Sequence, residues 1–399
     1  MDYLKRERYL ERLTPFIGKE LIKVIVGQRR VGKSYFLFQI MDYIREKEPD
    51  PVILYINKED LQYEFINTYS DLVEYVEAER GEAPYAYLFV DEIQDIHQFE
   101  KALRHLQSQK SWDIYITGSN ARLLSGELAT LLSGRYLQLE MFGLSYSEFL
   151  LFHRREDAPE SFLQYLRYGG LPYLHHIALR DTTVFPYLRN VYAGILFKDV
   201  ISRHKIRNTA FLERLTAFLA DNIGQLISAK KISDYLKSQK IKLNHTTVLH
   251  YLDFLTQAYF VFKVQRSDLK GKRLLEIGEK YYFGDLGIRH AIKSCQNEDI
   301  GQLLENVVYL HLRILQYQIS VGKLDHKEID FVCEKEGRTC YIQVTLSLSN
   351  EKVQQREYGN LLAIPDNERK IVITADEYHP QHFSGIEIWN IRKFLLKFE

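Results

Sequence analysis

Short apolar runs alternate with amphipathic stretches along the first part of the chain. Runs rich in β-branched and aromatic residues lie near 22–26, 52–56, 86–91, 113–117 and 136–140. Continuous apolar runs of this length predict strands that are buried on both faces. The stretches between them, including residues 60–80, have the apolar spacing of helices. Strands that alternate with helices are typical of a parallel sheet covered by helices, and we therefore expect an α/β domain at residues 1–142.

The hydrophobic pattern changes after this first domain. Helical spacing dominates residues 143–205, where a break rich in glycine and proline interrupts it, and we expect a helical lid or connector. Residues 206–278 contain three amphipathic segments followed by two strand-like runs, which is the order of a winged helix. Residues 279–399 return to an α/β pattern. The expected fold class is therefore a multidomain α/β protein.

Composition and charge narrow the function without deciding it. Of the 399 residues, 46% are hydrophobic and 27% are charged, and the formal net charge is zero. No global field draws the chain to nucleic acid or to a membrane, so any such attraction must be local. No apolar run of about 18 residues predicts a membrane span. The amphipathic N-terminus and the three cysteines, Cys295, Cys333 and Cys340, indicate neither a signal peptide nor a disulfide framework, and we expect a cytoplasmic protein.

The first predicted strand leads into the motif G-x-x-x-x-G-K-S. The motif lies between an apolar strand and a long helical stretch, which is the context that a phosphate-binding loop requires. Lys33 is expected to reach the β and γ phosphates of ATP, and the Ser34 hydroxyl to bind Mg²⁺. The backbone and helix N-terminus would cradle the phosphates. The expected nucleotide-binding residues are Gly27, Gln28, Arg29, Arg30, Val31, Gly32, Lys33, Ser34 and Tyr35.

A phosphate-binding loop demands a second apolar strand that ends in an acid. Residues 87–92 read Y-L-F-V-D-E. Asp91 is expected to hold Mg²⁺, and Glu92 to act as the general base that activates water. A carboxylate pair at a strand end can also be an exposed turn, but the loop upstream favours the catalytic interpretation.

Two further polar residues are candidates for contact with the γ-phosphate. Asn120 follows the strand D-I-Y-I-T and could touch the phosphate or the water, although a small polar turn has the same sequence. Arg135 precedes the strand Y-L-Q-L-E and could stabilise transition-state charge, either in its own subunit or in a neighbour within a homo-oligomer. A surface salt bridge is the alternative for Arg135. The pattern does not rank the roles of Arg29 and Arg30.

These motifs resemble a large family of prokaryotic AAA-type ATPases. The similar segments are V-G-Q-R-R-V-G-K-S, Y-I-N-K-E-D, F-V-D-E-I-Q, T-G-S-N, S-G-R-Y, G-L-S-Y-S-E-F-L, Y-G-G-L-P-Y, F-K-D-V-I and K-Y-Y-F-G-D-L-G. The resemblance covers nearly the whole chain. It implies an ATPase domain, a winged helix and a C-terminal domain similar to PD-(D/E)xK nucleases.

The winged-helix segment is locally basic. The expected N-cap of its third helix is Asn244, and its expected buried face comprises Val248, Leu249, Leu252 and Leu255. Its expected exposed positions are His245, Thr246, Thr247 and His250. The basic residues around it are Lys230, Lys231, Lys237, Lys240, Lys242, Lys263, Arg266, Lys270, Lys272 and Arg273. This patch is consistent with contact to the backbone of double-stranded DNA, and equally with packing or a protein partner.

The resemblance to PD-(D/E)xK nucleases assigns a degenerate site in the C-terminal domain. By position, Glu305, Asp330 and Gln343 would form the metal cluster, and Thr345 stands where such nucleases have a lysine. Cleavage needs carboxylates on Mg²⁺ and a lysine that activates water or steadies the phosphate. Gln343 is neutral and Thr345 is uncharged, so we expect a domain that binds or packs rather than cleaves.

Three functions are compatible with these residues. The first is a DNA-associated switch or motor driven by Mg-ATP. The second is an ATP-dependent switch that binds protein and no nucleic acid, which the zero net charge favours. The third is a nuclease gated by ATP, which Glu305 and Asp330 permit and Gln343 and Thr345 oppose.

Overall fold

The computed structural model describes residues 3–121, 132, 134–238, 245–271, 273–293 and 299–399. The chain forms two compact units. The first comprises residues 1–141 with Gln257–Tyr259, and the second comprises Phe142–Thr256 with Phe260–Glu399. The end of the first unit lies within one residue of the expected boundary at 142.

The first unit contains a parallel sheet. Its strands are β1 (Ile22–Gly27), β2 (Ile53–Asn57), β3 (Ala86–Asp91), β4 (Trp112–Gly118) and β5 (Tyr136–Met141), and its described helices are α1 (Glu7–Leu13), α2 (Lys33–Lys47), α3 (Tyr69–Arg80) and α4 (Phe99–Ser108). The strand order is β2-β3-β4-β1-β5, and every pairing is parallel. β1, β3 and β4 are buried along their full length, which explains their largely apolar sequences. The charged exceptions Lys23 of β1 and Asp113 of β4 form a buried ion pair. The structure confirms the predicted α/β core.

One helix of the first unit begins later than the sequence pattern predicted. α3 begins at Tyr69 rather than near residue 60. Its start is fixed by a capping box in which Thr68 accepts from the backbone of Asp71, and the Asp71 carboxylate accepts from the backbone of Thr68. Residues Leu61–Tyr63 form a separate 3₁₀ turn. Leu61, Phe65 and Tyr69 follow one another at four-residue spacing, so the sequence continues a helical pattern that the cap interrupts.

The second unit begins with helices and ends in a mixed sheet. Its described helices are α5 (Tyr146–Phe152), α6 (Pro159–Tyr168), α7 (Asp181–Gly194) with a π-helical extension (Ile195–Ser202), α8 (Thr209–Asp221), α9 (Ala229–Ser238), α10 (His245–Gln257), α11 (Leu286–Ile292), α12 (Ile300–Ile314), α13 (Glu351–Leu362) and α14 (Ile391–Lys397). Its described strands are β6 (Val261–Asp268), β7 (Arg273–Phe283), β8 (Gln318–Leu324), β9 (Lys327–Lys335), β10 (Arg338–Thr345), β11 (Arg369–Thr374), β12 (His382–Phe383) and β13 (Ile386–Asn390). The helical connector, the three helices α8, α9 and α10, and the hairpin of β6 and β7 follow one another in the predicted order.

The hairpin belongs to the same sheet as the C-terminal strands. The strand order is β12-β13-β11-β10-β9-β8-β6-β7. β6 pairs in parallel with β8 through Arg266–Asp268. The boundary expected between residues 278 and 279 therefore needs correction, because it falls inside β7. The apolar pattern of the hairpin did not reveal its partner, since β8 lies fifty or so residues further along the chain.

Two glycine motifs meet within the second unit. The backbone N–H of Gly170 donates to Asp285 Oδ2 at 2.7 Å. A Cβ atom on Gly169 would lie 2.3 Å from Asp285 Oδ1, and one on Gly287 would lie 2.0 Å from the carbonyl oxygen of Tyr168. The segments Y-G-G-L-P-Y and G-D-L-G therefore form one close backbone contact, which explains why both contain glycine.

Some expectations fail and some lie outside the described residues. Leu249 was predicted to be buried, but 39% of it is exposed, because the core side of α10 is formed by Val248, Leu252 and Leu255. The residues that cannot be compared with the structure are Lys240, Lys242, Asn244, Lys272 and Cys295. Across the described part of the chain, no helix combines the length and apolar character needed to cross a membrane.

Candidate functional site

The loop between β1 and α2 has a backbone that only glycine allows. Gly27 has φ 152° and Gly32 has φ 98°, both in the positive region. A Cβ atom on Gly27 would lie 2.2 Å from the carbonyl oxygen of Met141 on β5. Gly32 immediately precedes α2, so the N-terminal end of a fifteen-residue helix opens onto the loop. The loop is therefore shaped to present backbone N–H groups to an anion.

Lys33 is the first residue of α2, and its buried side chain contacts the loop rather than solvent. Its Nζ atom donates to the carbonyl oxygens of Gly27 at 3.1 Å and Gln28 at 3.2 Å, and lies 3.8 Å from Glu92 Oε1. The side-chain amide of Gln28 is buried, and neither of its polar atoms has a hydrogen-bond partner among the described residues. A buried cation and an unsatisfied amide in a positively polarised loop fit a phosphate group.

Asp91 ends β3 and is held by three hydroxyl groups. Hydroxyls of Ser34 and Thr117 hydrogen-bond to it, and Tyr55 Oη donates to Asp91 Oδ2 at 3.3 Å. Burial raises the pKa of Asp91, although the hydroxyl hydrogen bonds oppose that shift. A carboxylate and a serine hydroxyl in contact are oxygen ligands of the kind that Mg²⁺ prefers.

Glu92 has a left-handed backbone conformation with φ 56°. Its Oε2 atom accepts hydrogen bonds from Gln94 Nε2 and from Ser119 Oγ, the latter at 3.2 Å. Burial acts to raise the pKa of Glu92, but Lys33, the Gln94 amide and Arg29 together hold that pKa below its usual value. Glu92 is therefore an ionised carboxylate in a constrained turn, and such strain concentrates at functional sites.

The sequence reasoning missed the hydroxyl groups of β4. Thr117 donates to Asp91 and accepts from the backbone N–H of Glu92 at 2.9 Å. The strand order β3-β4-β1 places the end of β4 between the loop and the acids, so Thr117 and Ser119 are well positioned to contact both carboxylates. The signal was present, because both residues belong to the segment T-G-S-N.

The remaining predicted loop residues differ in exposure. Arg29 forms an ion pair with Glu59 at 3.0 Å. Arg30 is exposed with φ 71°, Val31 is buried, and Tyr35 is 55% exposed. Individual contacts of these four residues with a nucleotide stay predictions.

Asn120 and Arg135 lie at opposite ends of the strands: Asn120 follows the C-terminal end of β4, and Arg135 precedes the N-terminal end of β5. Asn120 is half-buried and follows Ser119 at the edge that carries the loop. Arg135 precedes β5, where Tyr136 pairs with Ile22 at the start of β1. Ile22 and Gly27 lie five residues apart along β1, a span of roughly 16 Å at about 3.3 Å per residue. The structure places Arg135 away from the loop of its own subunit. Its action on a neighbouring subunit and the alternative of a surface salt bridge both stay predictions.

Comparison with known proteins identifies the family. A sequence model described as an AAA domain matches residues 19–150, the region that carries the loop, Asp91 and Glu92. The chain belongs to the AAA-type P-loop ATPases. A second model, described as a domain of unknown function, matches residues 159–299. Nucleotide binding is therefore a property of the family.

Relatives of this ATPase extend along the whole chain. A protein of Haemophilus influenzae named only as uncharacterized is 35% identical over 404 residues, which covers 99% of each chain. An uncharacterized protein of Methanocaldococcus jannaschii is 32% identical over 84% of this chain and 77% of its own. The fold is similar to that of the Walker-type ATPase paby2304 of Pyrococcus abyssi, with a TM-score of 0.51, 14% identity, and coverage of 73% of this chain and 96% of that one.

The second unit of this AAA-type ATPase brings the predicted nuclease-like residues together. Glu305 lies on α12, Asp330 on β9 and Gln343 on β10. The backbone N–H of Asp330 donates to Gln343 Oε1 at 2.7 Å, and the N–H of Val344 donates to Asp330 Oδ2 at 2.9 Å. Thr345 Oγ1 donates to the carbonyl oxygen of Ser347 at 3.4 Å. Classification as a PD-(D/E)xK-like domain stays a prediction.

A lysine that sequence reasoning missed lies inside this cluster. Lys280 Nζ is 2.8 Å from Glu305 Oε1, 3.0 Å from Glu328 Oε1 and 3.6 Å from Asp330 Oδ1. Burial acts to lower the pKa of Lys280, but the three carboxylates raise that pKa well above its ordinary value. Burial raises the pKa of Glu305 to about 7. Within the described residues, no group of three or more His, Cys, Asp or Glu side chains is arranged to hold a metal ion.

The predicted basic surface is partly neutralised by acids. Lys263 pairs with Glu279 at 2.5 Å, and Lys270 at the hairpin tip pairs with Asp325 at 2.7 Å. Lys237 pairs with Asp234 at 3.4 Å. The exposed predicted residues of α9 and α10 are Lys230, Lys231, Lys237, His245, Thr246 and His250, while Thr247 is half-buried. Among the described lysines of this surface, Lys263, Lys270 and Lys237 are therefore partly neutralised by acids.

Proposed function

We propose that this AAA-type ATPase hydrolyses Mg-ATP at the loop between β1 and α2. The observation that carries the proposal is that four groups meet at the C-terminal ends of the strands. They are the buried ammonium of Lys33, the Ser34 hydroxyl, the Asp91 carboxylate that is hydrogen-bonded to it, and the ionised carboxylate of Glu92. These are the parts that phosphoryl transfer to water requires.

Each group has a proposed role in the reaction. Mg²⁺, when bound, would supply positive charge to the β and γ phosphates. Ser34 and Asp91 would hold the ion, and Lys33 would exchange its hydrogen bonds with loop carbonyls for phosphate oxygens. Glu92 would accept the proton of the attacking water as general base. Ser119 would orient the Glu92 carboxylate, since its hydroxyl already donates to it at 3.2 Å.

We further propose that ATP turnover is coupled to binding of double-stranded DNA by the second unit. The support is the order of three helices and a hairpin, with His245, Thr246 and His250 exposed on the third helix and Lys230 and Lys231 exposed on the second. A helix placed in this way is the element that enters a major groove in winged-helix proteins. The nuclease-like cluster would add no cleavage, because Gln343 and Thr345 replace the charged groups that cleavage needs.

A protein partner is the second candidate. The ion pairs of Lys263 with Glu279 and of Lys270 with Asp325 favour it, because paired lysines at the hairpin have less charge to offer to phosphates. In this case the chain would be an ATP-dependent switch that binds protein and no nucleic acid.

Steady-state ATP hydrolysis with and without double-stranded DNA tests the proposal. Lys33→Ala and Glu92→Gln serve as matched controls, since each removes one proposed group without enlarging a side chain. We expect hydrolysis that both variants abolish. Hydrolysis retained in both variants would contradict the assigned site.

A salt titration of DNA binding separates the two candidate partners. In a plot of log K for DNA binding against log salt concentration, each phosphate contact adds about −0.9 to the slope. Four contacts therefore give a slope near −3.6. A steep slope that Lys230→Gln and Lys231→Gln make shallower supports DNA. Absence of binding at low salt, with hydrolysis indifferent to DNA, supports a protein partner.

A further inference from the structure

The three carboxylates around Lys280 come from two elements and enclose a single ammonium group. Glu305 is contributed by α12, and Glu328 and Asp330 by alternate positions of β9. Their oxygen atoms lie 2.8, 3.0 and 3.6 Å from Lys280 Nζ. Only 3% of the lysine side chain is exposed. A positive charge in contact with several carboxylate oxygens occupies the position that a divalent cation takes in carboxylate sites.

Oxygens of the cluster also accept hydrogen bonds from groups other than Lys280. Asp330 Oδ2 accepts from the backbone of Val344, and Glu305 Oε1, the atom that contacts Lys280, also accepts from Tyr282 Oη. The Gln343 amide is also engaged at both ends, since its Oε1 accepts from the backbone of Asp330 and its Nε2 donates to Glu357 Oε2 at 2.8 Å. Direct metal coordination would require these groups to leave their partners.

Lys280 is held in place through the backbone of its strand. The Asn306 side chain accepts from the N–H of Phe283 at 2.7 Å and donates to the carbonyl oxygen of Phe283 at 3.1 Å. Asn306 is adjacent to Glu305 on α12, so one helix both anchors β7 and supplies a partner for its lysine. The ammonium group is therefore a fixed component of the cluster.

We propose that Lys280 is the resident cation of this cluster, so that the second unit is built to work without a divalent metal. The lysine neutralises carboxylates that a metal would otherwise neutralise. This role belongs to the second unit alone and does not depend on ATP hydrolysis in the first.

The proposal implies a latent metal site. Removal of the ammonium leaves three carboxylates without a counter-ion. Among the described residues they are not arranged to hold a metal as they stand, but carboxylate oxygens are the ligands that a divalent ion draws together when it binds. The Glu328 side chain is 35% exposed, which provides a route from solvent to the cluster. A Lys280→Met variant, which keeps an unbranched side chain of similar length, should therefore gain a metal site that the wild-type chain lacks.

The test is Mn²⁺ binding to the full-length, nucleotide-free chain, counted by electron paramagnetic resonance of free Mn²⁺. We expect Lys280→Met to bind one additional Mn²⁺ per chain, at concentrations at least tenfold lower than any binding by wild type in the second unit. Lys280→Met with Glu305→Gln should lose most of that gain. Lys263→Met is the matched control, because it removes a lysine paired with one carboxylate on the neighbouring strand, and it should gain nothing.

An unchanged Mn²⁺ count in folded Lys280→Met overturns the proposal. If Lys280→Met does not fold, the deciding variant is Lys280→Met with Glu305→Gln and Asp330→Asn, which removes most of the excess negative charge. Recovery of a folded chain without metal supports charge neutralisation as the role of the lysine. Failure to recover shows that Lys280 acts through packing and also overturns the proposal.

Discussion

A single hydroxyl group of Thr117 contacts both acidic residues of the nucleotide site. It donates to Asp91 and accepts from the backbone of Glu92. Thr117 is completely buried at the end of β4, so water cannot replace the hydroxyl if it is removed. The Asp91 carboxylate and the backbone of Glu92 therefore share one hydroxyl group, in addition to the other hydrogen bonds that hold the two carboxylates.

Thr117→Val should reduce the rate of ATP hydrolysis by about 10- to 100-fold, because a hydrogen bond to a charged group is worth roughly 1.5–3 kcal/mol. Valine has nearly the shape of threonine, so the loss should appear in kcat. Steady-state kinetics at saturating Mg-ATP measures it. Thr117→Ser retains the hydroxyl and should keep most of the rate. Equal kcat values for Thr117→Val and wild type would show that the hydroxyl has no positioning role.

At the scale of single residues, the sequence identified the functional residues that belong to a local motif, in which the preceding strand marks their position. The loop residues and Asp91–Glu92 each end a predicted strand, and the structure places them together. Ser119 and Lys280 escaped notice because their partners are distant in sequence. The contact of Ser119 with Glu92 depends on strand order, and that of Lys280 depends on how β7, α12 and β9 pack. Neither is encoded in a local pattern.

At the scale of elements, the contact between Gly170 and Asp285 fixes how two loops and a helix meet. Asp285 is also the N-cap of α11, since its Oδ1 accepts from the N–H of Ile288 at 3.0 Å. One carboxylate therefore caps a helix and holds a loop. The glycines around it are required because any side chain would enter the space of that carboxylate or of the backbone.

Gly169→Ala should lower the free energy of unfolding by about 2–4 kcal/mol, the range for strain combined with a disrupted buried hydrogen bond. Gly169 has φ 78°, and an added Cβ would overlap Asp285. Urea denaturation measures the change. Gly194→Ala is the control, because Gly194 lies in α7 with φ −61° and an added Cβ meets nothing within 4 Å. That variant should be neutral or more stable by up to about 1 kcal/mol, and a similar loss in both variants would contradict the argument.

The elements that the sequence predicted best are those buried on both sides. β1, β3 and β4 stand out because most of their positions are apolar, and the buried charges of Lys23 and Asp113 form an ion pair with each other. The start of α3 was misplaced, because Leu61 and Phe65 extend the four-residue apolar spacing of a helix toward the N-terminus. The capping box of Thr68 and Asp71 sets the actual start. The sequence did not predict that the hairpin joins the C-terminal sheet. β6 pairs in parallel with β8, and a parallel pair is not connected by a tight turn that the sequence would show.

At the scale of the whole molecule, stability should depend on pH through buried histidines. Burial lowers the pKa of His290 to about 4, and its Nδ1 atom hydrogen-bonds with the carbonyl oxygen of Arg167 at 3.0 Å. The folded pKa lies below the unfolded value of about 6.5. Stability from neutral His290 is therefore present above pH 6.5 and is lost as pH falls from 6.5 toward 4. Asp285, whose pKa burial raises to about 6, acts in the opposite direction.

His290→Gln isolates this contribution, because glutamine can still donate to the Arg167 carbonyl and does not titrate. Between pH 7.5 and pH 5.5, wild type should lose about 1.4 kcal/mol of unfolding free energy relative to the variant. Urea denaturation at both pH values gives the difference, in which the shared effect of Asp285 cancels. Parallel pH dependence in the two proteins would show that His290 is not buried in its neutral form.

The continuity of the eight described strands of the second unit decides which pieces of the chain can be produced separately. A fragment that ends at residue 278 would cut β7 and leave β6 without β8. Its unpaired N–H and C=O groups would form a free sheet edge, which is a template for association with other chains. Expression of residues 206–278 alone should therefore yield aggregates, and residues 142–399, which retain every strand pairing of this sheet, are the shorter piece suited to biochemical work.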